Sequence, residues 1–218
     1  MTQGANHVLF KDRIDAGNQL AELLLPYKDS PAIVLGLARG GVLVASRVAL
    51  AFHIPFDVLV VNKISSPKNP EFALGALAPD GVQLMHWVDI QKAGFDEEYI
   101  HTVTSVLESD IGRRMHRLRK RKKPLRVEEK TVILVDDGIA TGATMEAAIL
   151  WARKKRAKQI IVAVPVASHD ILQRLRPEVT ETVCLKEVLE LKTVGEFYKT
   201  FEQISDEDVI KLQKEVLL

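Results

Sequence analysis

The chain has 218 residues, of which 47% are hydrophobic and 27% charged, with a formal net charge of +1. That length suits one substantial domain with a small appendage, and the even charge balance excludes a function driven by global charge, such as general nucleic-acid binding. A lone cysteine, Cys184, excludes an internal disulfide framework and fits a reducing compartment. No apolar run approaches the roughly 20 residues that span a bilayer. The opening "MTQGANHVLFKDR" lacks an apolar signal core, so a cytoplasmic location is expected.

Apolar runs alternate with helical patterns, the signature of a parallel sheet wrapped by helices. Residues 10–25, "FKDRIDAGNQLAELLL", place Ile14, Leu20, Leu23 and Leu24 as the apolar face of a first helix. "AIVLGLA" (32–38) reads as a buried strand ending in the turn "RGG", and "VLVASRVALAF" (42–52) as the helix after it. "FDVLVV" (56–61) is a second strand, set off by Pro55. Residues 64–81, "ISSPKNPEFALGALAPDG", carry three prolines and two glycines without a clear period. So long an irregular segment reads as a functional loop or a disordered one. "VQLMHW" (82–87) is a short strand, and a polar helix runs from about 95 to 123, where Pro124 stops it. "TVILVDD" (131–137) and "QIIVAVPVA" (159–167) are the next strands, followed by helices over 142–155 and 168–176. The tail mixes a brief strand, an irregular aromatic segment and a closing helix. The expected fold is therefore α/β, an open, mainly parallel sheet flanked by helices, as one domain over residues 1–218.

The stretch "VILVDDGIATGAT" (132–144) carries the most chemistry. In an open α/β sheet ligands bind beyond the carboxyl ends of the strands, where this strand delivers Asp136 and Asp137. Two adjacent carboxylates suit the vicinal hydroxyls of a ribose or a hydrated Mg²⁺. The small residues that follow let backbone N–H groups curl around an anion, with Thr141 and Thr144 adding hydroxyls and a helix starting near Gly142. Together these describe a sugar-phosphate site. A lone Asp-Asp-Gly is more often a plain turn, with a threonine as N-cap. The turn in "GLARGG" (36–41) joins a guanidinium to unobstructed backbone amides, and is neither a dinucleotide fingerprint nor a Walker loop. Lys63 is read as ending the second strand at the same sheet edge.

In residues 113–123, eight of eleven are Lys or Arg. The favoured reading is a solvated face balanced by Glu97, Glu98, Glu108 and Asp110. The sharper one is a surface for a phosphate-rich partner such as RNA. The six histidines and single cysteine show no metal-ligand spacing.

"VILVDDGIATGAT" resembles the signature of the type I phosphoribosyltransferases, which binds 5-phosphoribosyl 1-pyrophosphate (PRPP). The resemblance implies that family's fold over about residues 30–165, with an inserted long helix and a small variable hood. The hood is expected from residues 183–201 plus the N-terminal segment. Asp136 and Asp137 would hold the ribose hydroxyls, and Ile139, Ala140, Thr141, Gly142, Ala143 and Thr144 the 5-phosphate. The loop Ala38, Arg39, Gly40, Gly41 is similar to the "SRGG" and "LKGG" loops of purine enzymes. It would grip pyrophosphate together with Lys63, and would contain a non-proline cis peptide at Ala38–Arg39. Residues 64–81, with Lys68 and Glu71, would be the flexible catalytic loop.

"KTVGEFYKTF" is similar to the "KFVVG" segment of hypoxanthine-guanine enzymes. It would offer Lys192, Phe197 and Tyr198 to an acceptor, although Phe197 and Phe201 equally suit anchors of the tail to the core. The implied activity is Mg²⁺-dependent transfer of the 5-phosphoribosyl group to a nitrogenous base, purine or pyrimidine, with release of pyrophosphate, in nucleotide salvage. Asp136, Asp137, Arg39 and Lys63 form its catalytic set. Mg²⁺ would enter mainly with PRPP, with Asp136 and Asp137 as its candidate protein ligands; a homo-oligomer is expected, with no membrane partner and nucleic acid not the expected partner. The alternative is a PRPP-sensing regulator of the same fold, whose 113–123 helix contacts RNA or a partner.

Overall fold

The computed structural model describes residues 8–66, 69–119 and 123–216, the side chains of 69–72 excepted. Its elements run α1 (Arg13–Leu23), β1 (Ala32–Leu37), α2 (Gly40–Phe52), β2 (Phe56–Leu59), β3 (Asn62–Ser66), β4 (Asn69–Ala78), β5 (Val82–Met85), α3 (Trp87–Lys92) and α4 (Glu97–Arg119). They continue as β6 (Thr131–Val135), α5 (Ala143–Lys154), β7 (Gln159–Ser168), α6 (His169–Leu175), β8 (Glu181–Val188) and α7 (Asp206–Glu215). Five strands form a parallel sheet in the order β2-β1-β6-β7-β8, and β3-β4-β5 form a smaller antiparallel sheet.

All six residues of β1 and all five of β6 are buried, so these strands read as unbroken apolar runs. Alternate side chains feed two cores. Val34, Ile133, Val135 and Ile161 pack with α1, α2, α4 and α7, while Ile33, Leu35, Val132, Leu134 and Val162 pack with α5 and α6. From β1 the chain steps outward to β2 on one side, whereas β6 pairs β1 on the other. The sheet's topological switch point therefore lies between β1 and β6, where open α/β sheets place their ligands.

Three expectations change. Residues 64–81 are for the most part not irregular: β3 and β4 make a hairpin extended by β5. Their period is missing because β4 is buried on both faces, with Leu74 and Leu77 in one core and Ala76 and Ala78 in the other. Pro70 sits near the start of β4, outside the stretch that β5 pairs, and Pro79 follows its end, positions where a missing N–H is tolerated. Lys68 and the Glu71 side chain lie outside the described residues. On α1, Ile14 and Leu23 are exposed, and the buried face is Ala16, Gly17, Leu20 and Ala21. Gly17 is there because its missing Cβ would come within 2.8 Å of Arg47 on α2.

The basic run is not a plain solvated face either. On α4, Arg114 and Arg117 bind Asp206 at the start of α7, and Arg119 donates to the buried Asp57 on β2 at 2.9 Å. Among the upstream acids expected to balance the run, Asp110 pairs Arg113. Residues 120–122 lie outside the described residues. No described helix is long and apolar enough to cross a membrane.

Candidate functional site

The loops after β1 and β6 meet at the switch point. Asp136 and Asp137 directly follow β6, and Arg39, Gly40 and Gly41 follow β1. Contact between the loops depends on the absence of two side chains. A Cβ on Gly40 would lie 1.9 Å from Asp137 Oδ2, and one on Gly41 would lie 2.6 Å from the Val135 carbonyl oxygen and 2.8 Å from Asp136 Oδ1. The bond joining Ala38 to Arg39 is a non-proline cis peptide, and the Ala38 amide donates to the Leu59 carbonyl at 3.0 Å.

The acidic pair is half-buried. Asp136 Oδ1 accepts the Asp137 amide at 2.9 Å. Burial, reinforced by the neighbouring Asp137 charge, raises the Asp136 carboxyl well above the usual carboxylate range. Asp137 has a cation instead: Arg13 Nε donates to its Oδ2 at 2.6 Å, and both side chains are largely buried. Arg13 also donates from Nη1 to the Glu202 carbonyl at 2.7 Å and lays its guanidinium 3.6 Å from the centre of the Phe201 ring. The Tyr198 hydroxyl donates to the Asp137 carbonyl at 2.6 Å. Two helix N-termini converge on this edge, those of α2 at Gly40 and α5 at Ala143, and no side chain caps either. Helix starts of this kind aim their first-turn N–H groups and the positive end of a dipole outward along the axis.

The loop leading into α5 is pinned by neighbours. Ile139 is buried, donates to the Val166 carbonyl at 2.9 Å and accepts from the Ser168 amide at 3.2 Å, which ties the loop to the end of β7. Gly142 has φ +88, a left-handed conformation that favours glycine, and a Cβ there would also meet Ile171 at 2.8 Å. Arg174 of α6 donates to the Thr141 carbonyl at 3.1 Å and to Glu146 at 3.0 Å, bracing the first turn of α5. Ala140 and Thr144 are partly exposed, Thr141 is open to solvent and Ala143 is buried.

The remaining residues singled out from sequence divide. Lys63 lies within β3, opposite Ala76, rather than at the end of β2. Phe197 and Tyr198 are 3% and 4% exposed and pack with Phe10, Leu191 and Val166, so neither ring presents an open face. Lys192 is exposed, 3.8 Å from Glu190. Residues 9–11 hydrogen-bond to 197–200 through four backbone bonds of 2.9 to 3.0 Å, closing a layer over the switch point from both ends of the chain. Arg13 was invisible in the sequence: it lies 124 residues from Asp137, and its local pattern, a charged residue at a helix start, is commonplace. No group of three or more His, Cys, Asp or Glu side chains gathers among the described residues to hold a metal by itself.

Comparison with known proteins places this geometry in context. The phosphoribosyl transferase domain family matches residues 11–198. A provisionally named phosphoribosyl transferase of Mycobacterium tuberculosis is 39% identical over 202 residues, covering 93% of this chain and 46% of that protein. The chain thus spans about half the length of the curated relatives it matches. The crystal structure of TT1426 from Thermus thermophilus is 37% identical with a TM-score of 0.79, covering 94% of this chain and 98% of that one. A protein of Aquifex aeolicus, 12% identical with a TM-score of 0.51 over 84% of this chain and 78% of that one, shares the fold. With its acidic pair and glycine loop meeting at the switch point of a parallel sheet, the chain belongs to the phosphoribosyl transferase domain family.

Proposed function

We propose that the protein transfers the 5-phosphoribosyl group of PRPP to a nitrogenous base. The observation that carries this reading is the packing of Gly40 and Gly41 against Asp137 and Asp136. It puts an amide-rich, anion-receptive helix start in contact with a pair of hydroxyl-binding carboxylates. In the reaction the bond from the anomeric carbon to pyrophosphate breaks and pyrophosphate leaves with the electron pair. A bond from the acceptor nitrogen to that carbon forms, and the acceptor's proton passes to solvent or a base.

The residues divide this work by charge. Asp136 and Asp137 accept the ribose hydroxyls and hold the ring in line, and their negative charge favours the cationic ring of the transition state. Arg13 fixes the Asp137 carboxylate against rotation. The uncapped amides of α5, with Thr141 and Thr144, take the 5-phosphate. Arg39, the Gly40 and Gly41 amides and Lys63 receive negative charge on the departing pyrophosphate. The donor chemistry fits Mg²⁺ brought with the substrate, since one or two carboxylates plus substrate oxygens is its usual protein environment, and Asp136 and Asp137 supply those carboxylates. When bound, the ion supplies charge neutralisation on the leaving group.

The acceptor's identity rests on the hood. Phe197 and Tyr198 are engaged in the hood's own packing, so the base would be recognised by groups other than those two rings. The RNA-binding regulator is the less favoured reading: Arg114 and Arg119 of α4 turn inward to Asp206 and Asp57, leaving Arg113 and Arg117 as the exposed arginines of that helix. A pyrophosphate-release assay with PRPP and a panel of purines, pyrimidines and small amines tests the reading. Release that depends on at least one acceptor is expected, and silence across the panel would contradict it.

A further inference from the structure

Arg39 also lines a second concavity, a cleft of about 550 Å³ shared with Asp110, Arg113, Arg114, Arg117 and Asp206. All six lining residues are charged, four guanidinium groups against two carboxylates. The cationic excess is built in rather than incidental. Asp206, 8% exposed, is shared by two arginines: Arg114 grips it in a fork of 2.7 and 3.1 Å, and Arg117 binds its other oxygen. Arg113 donates to the Ser109 hydroxyl at 2.9 Å and meets Asp110 at 3.4 Å, with the Arg113 and Asp110 side chains more than half exposed, so its charge is only weakly paired and is screened by solvent. The Arg39 side chain makes no hydrogen bond or ion pair among the described residues. Many N–H donors therefore face a space with too few acceptors.

The shape and lining say what would fill it. The volume exceeds one phosphate and suits a ligand of several groups. No aromatic or aliphatic side chain lines the cleft, so it offers a nucleobase no aromatic platform or apolar pocket, whereas it offers phosphate oxygens four guanidinium groups. Planar guanidinium forks match phosphate oxygens in pairs. We infer that this cleft binds a polyphosphate chain of three or more phosphates, at a site separate from the sugar-phosphate pocket but sharing Arg39 with it. A chain seated there draws Arg39 away from departing pyrophosphate and slows transfer; this coupling, unlike the binding, rests on the function proposed above.

The test is calorimetric titration of the full chain with inorganic tripolyphosphate. Arg113→Glu and Arg117→Gln change exposed side chains, and thermal melting verifies their folding. Each is expected to weaken tripolyphosphate by about tenfold or more, with PRPP affinity held within about twofold. The Asp136→Asn, Asp137→Asn double variant is expected to bind tripolyphosphate as the unaltered chain does. ATP with the same affinity as tripolyphosphate would place recognition in the phosphates.

Equal tripolyphosphate affinity in the Arg113 and Arg117 variants would overturn the inference, and so would loss of binding in the double Asn variant. Binding of ATP alone, or of a single-stranded RNA with tripolyphosphate silent, would overturn it as well. Failure of the unaltered chain to bind PRPP would instead strike the proposed function and leave the cleft standing.

Discussion

Arg13 and Asp137, 124 residues apart, meet at 2.6 Å with both side chains largely buried, and this contact ties the N-terminal helix to the acidic pair. Arg13 also holds the Glu202 carbonyl and the Phe201 ring, so one side chain fixes the hood and a proposed ribose ligand together. Arg13→Ala would leave Asp137 partly buried without its cation, and breaking such a pair costs about 3 kcal/mol. Lysine offers neither the second directed donor nor the flat stacking face, so Arg13→Lys is expected to recover less than half of that loss. Chemical denaturation of both variants, alongside PRPP titration, measures the two effects.

Gly40 gives a sharper steric test. A methyl at this position would sit 1.9 Å from Asp137 Oδ2, so the carboxylate has to move or the loop has to lift. Gly40→Ala is expected to destabilise by about 1 to 3 kcal/mol, the usual range for overpacking. It should weaken PRPP by about a hundredfold or more, because both halves of the proposed site shift together. Alanine at Gly112, where a Cβ meets nothing within 4 Å, is the matched control and should leave PRPP affinity unchanged.

Asp136 has a raised pKa in the fold, so the native state holds its proton more tightly than the unfolded chain does. Between the unfolded and folded values the native protein binds the extra proton, and its stability falls as pH rises through that window. Above it, the buried charge is a constant cost. Asp136→Asn keeps an oxygen for the Asp137 amide and removes the charge. At neutral pH it should therefore melt about 2 to 4 °C higher than the unaltered chain while losing PRPP binding. A variant that melts lower across the whole pH range would contradict this.

Alkaline pH probes the hood. Burial raises the Tyr198 phenol far above its ordinary value of 10.0, with the Asp137 charge adding to the shift; away from the hood, burial and the hydrogen-bonded Glu181 of β8 push Tyr27, between α1 and β1, up to about 12. Both contributions to stability are fully present below about pH 10, where the unfolded tyrosines titrate, and are lost as pH rises beyond it. Tyr198→Phe removes a hydrogen bond to the Asp137 carbonyl, a cost of about 1 kcal/mol at neutral pH. It should also flatten the decline in stability above pH 10, which denaturation at a series of pH values would show.

The parts of this site legible in the sequence are those encoded locally. The buried strands β1 and β6, the acidic pair and the glycine turns are each contiguous, and strand ends deliver neighbouring side chains without reference to the rest of the fold. Arg13 and Tyr198 have no such signature, because their meaning comes from partners 124 and 61 residues away. The basic run failed for the same reason: its charge was plain, but Asp206, the acid that organises it, lies 92 residues from Arg114. The β3–β4 hairpin misled because a strand buried on both faces loses the alternation by which strands are recognised.

The central claim is that Asp136 and Asp137 form the ribose grip of a PRPP site. Its most direct test is a calorimetric titration of PRPP, in the presence of Mg²⁺, into the unaltered chain and into the Asp136→Asn, Asp137→Asn double variant. The account predicts saturable binding to the first and a loss of about a hundredfold or more in the second, with the double variant still folded by melting. Equal affinity in the two, or no binding to the unaltered chain, would contradict it.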